Sequence, residues 1–196
     1  YLYPFGEALA GVLMTAGVLD WISIPLALLL GMLLDQQIPM EKAFSGPAVI
    51  AERMGGRFDV AAIAAMDTDA FVALCSRPPA VHRFPGSMGK RVQQVARALV
   101  EDYAGDAANI WAGVDDAATV LKRLKALPGF GDQKAKIFTA LLAKQLDVAP
   151  RGWTTVVGDY GKKGFRSVAD VTDPDSLQKV RETKREMKRE MKAAKK

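Results

Sequence analysis

Leu127-Pro128-Gly129-Phe130-Gly131-Asp132-Gln133-Lys134-Ala135 stands between two segments of helical periodicity, and its reading decides the fold. Upstream, Ala117 to Ala126 carries Val120, Leu121 and Leu124 as an apolar stripe, and downstream a helix is predicted from Asp132 to about Gln145. Pro128 withdraws a backbone donor and stops the first helix. Gly129 and Gly131 permit positive φ and leave no side chain in the way of a close approach. Phe130 between them can turn inward and anchor the loop. The loop amides would then face outward at a helix N-terminus, where the dipole also favours an anion. Amides placed so hold a nucleic-acid backbone without reading its sequence. Lys134 and Lys136, in the first turns of the second helix, add salt-dependent attraction. A plain turn between antiparallel helices is the simpler alternative. The full pattern of apolar, Pro, Gly, apolar, Gly, two residues and Lys-Ala favours the phosphate grip.

Outward from this hairpin the chain reads as helix throughout. Pro25 suits a first helical turn, and Leu26 to Gln37 is apolar on nearly every face, which belongs at the centre of a domain. Pro39 breaks it, and Ser45-Gly46-Pro47 punctuates before a helix from about Ala48 to Met54. Asp59 caps a short helix through Met66, and Asp67 or Thr68 caps another to Leu74. Arg77-Pro78-Pro79 forces an extended connection. Ser87 is expected to cap a helix from Met88 to Tyr103, with a further helix from Ala107 to Ala112. Beyond Pro150, glycines 152, 158, 161 and 164 mark a loop-rich stretch, with short turns at Ser167 to Asp170 and from Asp175. A charged terminal helix repeats Arg-Glu-Met-Lys at 185–188 and 189–192. No segment alternates as a strand would, so the fold class is all-α. The expected organisation is an irregular segment 1–24, a helical lobe 25–126, a helix-hairpin-helix at 118–145 and a C-terminal segment 146–196 with a basic tail.

Charge and composition narrow the chemistry. The net charge of +5 is concentrated in residues 179–196, which hold nine of the 27 Lys and Arg and three of the 22 acidic residues, so the body is close to neutral. The pI is therefore weak evidence for nucleic acid, and the tail reads either as added DNA affinity or as a solvated helix. A single cysteine, Cys75, excludes a disulfide framework and a Cys-rich metal or iron–sulfur site. The one histidine, His82, could serve catalysis only beside Cys75, seven residues away; a buried structural thiol is the better reading. Residues 8–34 are mostly apolar. Asp20 and Pro25 interrupt them, and Trp21 to Leu34 is 14 residues, short of the ~20 that span a bilayer.

The hairpin resembles that of the helix-hairpin-helix (HhH-GPD) base-excision DNA glycosylases typified by endonuclease III and adenine DNA glycosylase, over roughly residues 26–150. Leu33-Leu34-Asp35-Gln36-Gln37 is similar to the family's Leu-Leu-Ser-x-Gln, whose last residue enters the duplex near the extruded base; Gln37 holds that position. Gly86-Ser87-Met88-Gly89-Lys90 is similar to the segment that opens a helix beside the DNA. The resemblance implies a two-lobed all-α fold that extrudes a nucleotide into a pocket between helical lobes. It implies Gln37, Ser87, Lys90, Gly129, Gly131, Lys134 and Lys136 as DNA contacts, with double-stranded DNA as partner. It also implies a monomer in the cytoplasm, away from membranes, with no metal cofactor beyond a monovalent cation that the hairpin could hold.

The chemistry departs from the pattern. Gln133 stands where bifunctional members carry a lysine nucleophile, and Lys134 lies about 100° further round the helix. Arg151 stands where the catalytic Asp is expected, leaving Asp147 and Asp159 as the nearest carboxylates. The family's four-cysteine cluster is also missing, so strand cleavage through a lysine is not expected. Trp153 and Tyr160 could stack on a base or fill a lobe interface, and His82-Arg83 could reach a phosphate or flank a helix. Two alternatives to a glycosylase follow: a non-catalytic hairpin module that binds distorted duplex, and a helical scaffold or membrane-associated protein using the apolar 8–34 segment.

Overall fold

The computed structural model describes residues 24–194, in which nine α-helices and three short 3-10 turns are present and no strand occurs. Residues 1–23, where nearly all of the irregular N-terminal segment was expected, lie outside the described residues. The helices are α1 (Ile24–Leu34), α2 (Met40–Arg53), α3 (Val60–Ala65), α4 (Thr68–Ser76), α5 (Pro85–Asp102), α6 (Ala117–Ala126), α7 (Asp132–Gln145), α8 (Trp153–Val157) and α9 (Pro174–Ala193).

Helix α1 is the hub. Ten of its eleven residues are buried, and it packs against α2, α5, α7 and the turn at Ala107–Ile110. This explains why it is apolar all round: no face is left for solvent. It stops at Leu34, three residues before the sequence expectation, and Gln37 stands beyond it, exposed and at φ +58°. No helix among the described residues is long and apolar enough to cross a membrane.

Two expected boundaries are corrected. Helix α2 begins at Met40 and runs through Pro47 rather than starting at Ala48. Met40, Ala43, Phe44, Pro47, Ala48 and Ala51 recur at helical spacing and are buried. Burial of that stripe outweighs the ~3 kcal/mol that an interior proline costs. Helix α5 starts at Pro85, which occupies the first turn, while Ser87 is exposed and its hydroxyl donates weakly to Phe84 O at 3.4 Å rather than capping. Pro85 is suited to that position because the amide it lacks would have had no helical partner.

Buried glutamines fasten the helices in ways that apolar patterning does not disclose. Gln93 donates through Nε2 to Ile63 O and Met66 O and accepts from Thr68 Oγ1, joining α3 and α4 to α5. Gln145, at the end of α7, donates through Nε2 to the carbonyls of Val168, Ala169 and Val171 at 2.9–3.1 Å. The adjacent Lys144 pairs with Asp170 at 2.6 Å. These bonds hold the C-terminal segment on α7, and Val180 buries the start of α9.

Candidate nucleic-acid interface

The hairpin is built as its residues dictate. Leu127 N–H donates to Leu124 O, closing α6, and Phe130 N–H donates back to Leu127 O at 3.1 Å. Phe130 is buried and stands edge-on to Phe138 of α7, with ring centroids 6.3 Å apart. The two glycines then differ. Gly129 has φ +82°, and a Cβ there would lie 2.7 Å from Leu33 Cδ1 and 2.5 Å from Arg91 Cδ. Gly131 has φ −78° rather than the positive value its sequence allowed, and a Cβ there would meet nothing within 4 Å. The fold needs glycine at 129 and does not need it at 131. Among the described residues, the amides of Gly131 and of the first turn of α7 have no backbone acceptor, as at any helix N-terminus.

Three further segments converge on this loop. Leu33 and Arg91, both against Gly129, bring the end of α1 and the start of α5 beside it. Gln36 Nε2 lies 2.9 Å from Met88 Sδ, tying the segment after α1 to α5. His82 is buried; its Nδ1 accepts from Phe84 N–H and its Nε2 therefore donates to Gln36 O at 3.0 Å. Burial holds the imidazole below its usual pKa, as befits a neutral ring with both nitrogens engaged. His82 is thus a structural strut rather than a phosphate ligand. Arg83 lies over the ring of the exposed Phe84, 5.4 Å from its centroid. The Cys75–His82 pair also falls away, since burial pushes the Cys75 thiol up to about 11 and both His82 nitrogens are taken.

Beneath the loop lies a cavity of about 660 Å³, lined from α1, α7, α8 and α9, a volume within the ~300–1,000 Å³ usual for small-ligand sites. Asp35 and Gln36 reach it from one side and Gln133, Lys134 and Lys136 from the start of α7. Asp159 and Tyr160 form another wall, and Lys184, Met187 and Met191 of α9 close it. Gln133 Nε2 donates to Tyr160 Oη at 3.0 Å. Two ion pairs, Arg181 with Glu41 and Lys184 with Asp35, join α9 to the segments flanking the end of α1.

The candidates named from sequence therefore separate. Lys134 does not extend from the loop; its Nζ donates to Leu33 O at 2.6 Å, inside the cavity. Burial drives its pKa down to about 8, with Asp35 opposing the shift and Arg91 reinforcing it. Lys136 pairs with Asp132 at 2.8 Å, and Asp132 also takes Lys125 at 3.0 Å. Gln37, Lys90 and Ser87 are exposed. Asp159 lines the cavity but is exposed and held by Lys162 at 2.5 Å, which keeps its carboxyl below the usual range. Asp147, at φ +55°, is exposed and does not line the cavity. Arg151 is tied to the start of α6, its N–H donating to Asp115 O and its carbonyl accepting from Ala117 N–H. Trp153 is half-buried against the core. Asp35, Gln36, Arg91 and the two methionines of α9 had no functional signal of their own in the sequence. Among the described residues, no group of three His, Cys, Asp or Glu is placed to hold a metal.

The Lys134 environment predicts a titration. Reductive ¹³C-methylation followed by NMR should show one lysine resonance, that of Lys134, moving near pH 8, well below the range of an ordinary lysine. Because the unfolded chain keeps the ammonium to higher pH, this group makes stability rise between pH 8 and ~10.4. Removing the Asp35 carboxylate should lower the Lys134 midpoint further. A Lys134 midpoint among the surface lysines would show that the side chain is solvated.

Residues 30–196 match the family model for HhH-GPD superfamily base excision DNA repair proteins. Searches of curated proteins and of solved structures return no match. With the hairpin, its inward phenylalanine and the cavity at the start of α7 in place, the match over most of the chain means that this protein belongs to the HhH-GPD superfamily of base excision DNA repair proteins.

Proposed function

We propose that this protein grips the backbone of double-stranded DNA with the 127–131 hairpin and receives an extruded nucleotide in the adjoining cavity, acting as a DNA N-glycosylase without strand-cleaving activity. The observation that carries the reading is Gly131. Its backbone is ordinary and its surroundings are open, so the absence of a side chain serves something outside the chain, and a phosphate meeting the loop amides is that thing. The cavity begins two residues later on the same helix, so a gripped backbone and a captured base share one support. Gln37 and Lys90 then serve as duplex contacts, with Arg91 beside the loop adding a cation.

Gln133 argues against the lysine-dependent cleavage of bifunctional relatives, since the amide is occupied by Tyr160. A non-catalytic duplex-binding module is the second reading, favoured by Arg151 standing outside the cavity where a carboxylate was expected. Complete burial of most of α1 counts against the scaffold or membrane reading.

The test is electrophoretic mobility on duplex DNA at two salt concentrations, with Gly131→Leu beside the wild type. The variant should melt within ~0.5 kcal/mol of the parent, as open surface changes do, and bind at least ~10-fold more weakly. The salt dependence should give a slope of about −0.9 per phosphate contacted. A folded Gly131→Leu variant that binds normally removes the hairpin as the grip. Oligonucleotide panels bearing damaged or mismatched bases, scored for free base and for strand breaks separately, then divide the two readings.

A further inference from the structure

We infer that Asp35 is the carboxylate that faces C1′ of the extruded nucleotide and carries the charge and the proton of base release; this rests on the cavity being the nucleotide site proposed above. Asp35 is the first residue beyond α1, and its side chain lines the cavity while only 13% exposed. Its nearest cation is Lys184 of α9, at 3.9 Å, too long for a hydrogen bond. Lys134 of α7 adds a second positive charge nearby. No hydrogen bond among the described residues consumes the carboxylate oxygens, so they remain available to a ligand. The competing carboxylates are less suited: Asp159 is two-thirds exposed and locked on Lys162, and Asp147 is outside the cavity. Position 151 holds an arginine that does not line the cavity and whose backbone is paired with Asp115 and Ala117.

The environment of Asp35 fits the role. Burial raises its carboxyl above the ordinary carboxylate range, with Lys184 and then Lys134 pulling the other way. A desolvated carboxylate attracts a developing cation more strongly and accepts a proton more readily than a solvated one. As the C1′–N bond breaks, its electron pair leaves with the base nitrogen and positive charge gathers on the sugar beside Asp35. The oxygen of a water molecule bonds to C1′. One water proton passes to the Asp35 carboxylate and then to the departing base nitrogen, giving a free base and a sugar with a hydroxyl at C1′. Water is the only co-reactant.

The test needs no knowledge of the target lesion. Two duplexes carry one abasic analogue each: a neutral tetrahydrofuran ring, and a pyrrolidine ring whose protonated nitrogen mimics the sugar cation. The full chain is titrated with both by fluorescence anisotropy. The wild type should prefer the pyrrolidine duplex by at least ~10-fold. Asp35→Asn and Asp35→Ser should abolish the preference and leave affinity for the tetrahydrofuran duplex unchanged. Asp147→Asn, which changes an exposed carboxylate outside the cavity, should keep the preference. Thermal melting of each variant checks the fold, and two replacements of different size guard against one of them failing to fold. A preference that survives in both Asp35 variants overturns the assignment, as does a wild type that binds both duplexes equally. Binding to neither duplex overturns the proposed DNA site itself, and the assignment falls with it.

Discussion

Gly129→Val should destabilise the protein by ~3 kcal/mol or more, a large share of the ~5–15 kcal/mol that holds a typical domain. Two costs combine. A φ of +82° costs an ordinary L-residue ~1–2 kcal/mol, and a β-branched one more. The new Cβ would then stand 2.7 Å from Leu33 Cδ1, which is fully buried in α1 and has no room to retreat; overpacking of this kind costs a further ~1–3 kcal/mol. Arg91 is exposed and can swing away, so its contact matters less. Urea denaturation measures the total, and a double-mutant cycle isolates its source. Gly129→Ala combined with Leu33→Ala should cost less than the sum of the two single changes, because the second makes room for the first. Strict additivity would mean that the backbone conformation alone carries the penalty. The contrast with Gly131→Leu, which should leave stability unchanged, separates the glycine the fold requires from the one the proposed ligand requires.

Gln145→Leu is expected to be comparably severe for a different reason. The leucine keeps the volume but leaves the carbonyls of Ala169 and Val171 without a donor, while Val168 O keeps the N–H of Val171. An unsatisfied buried polar group costs ~1–3 kcal/mol, so a loss of ~3 kcal/mol is expected. The damage should be regional: hydrogen exchange at residues 168–180 should accelerate first, because Gln145 and Lys144 supply the polar bonds that hold this segment on α7. Since α9 supplies Lys184, Met187 and Met191 to the cavity, DNA capture should weaken along with the segment. Lys162→Ala gives the comparison. It breaks only an exposed pair with Asp159, and such pairs contribute ~0–1 kcal/mol. Equal losses from the two variants would contradict the burial argument.

The legibility of this protein follows the range of the forces involved. Helix periodicity, proline and glycine act within a few residues, so the sequence by itself determined the all-α class, the α6–hairpin–α7 unit and the inward phenylalanine. The same local signals misled at Pro47, where a stripe of buried contacts overrode one unfavourable residue, and at Ser87, where Pro85 already began the helix. The hairpin pattern also sufficed for the family. The site's chemistry did not follow from it, because the cavity is assembled from segments far apart in the chain. Lys134 meets the carbonyl of Leu33, 101 residues away, and loses the solvent that made it look like a phosphate ligand. Asp35 looked like the polar end of an apolar helix until α9 and α7 closed around it. Burial, and with it the affinity of a carboxylate or an amine for a proton, belongs to the packed structure: it depends on what excludes water, and that is decided only when distant helices meet.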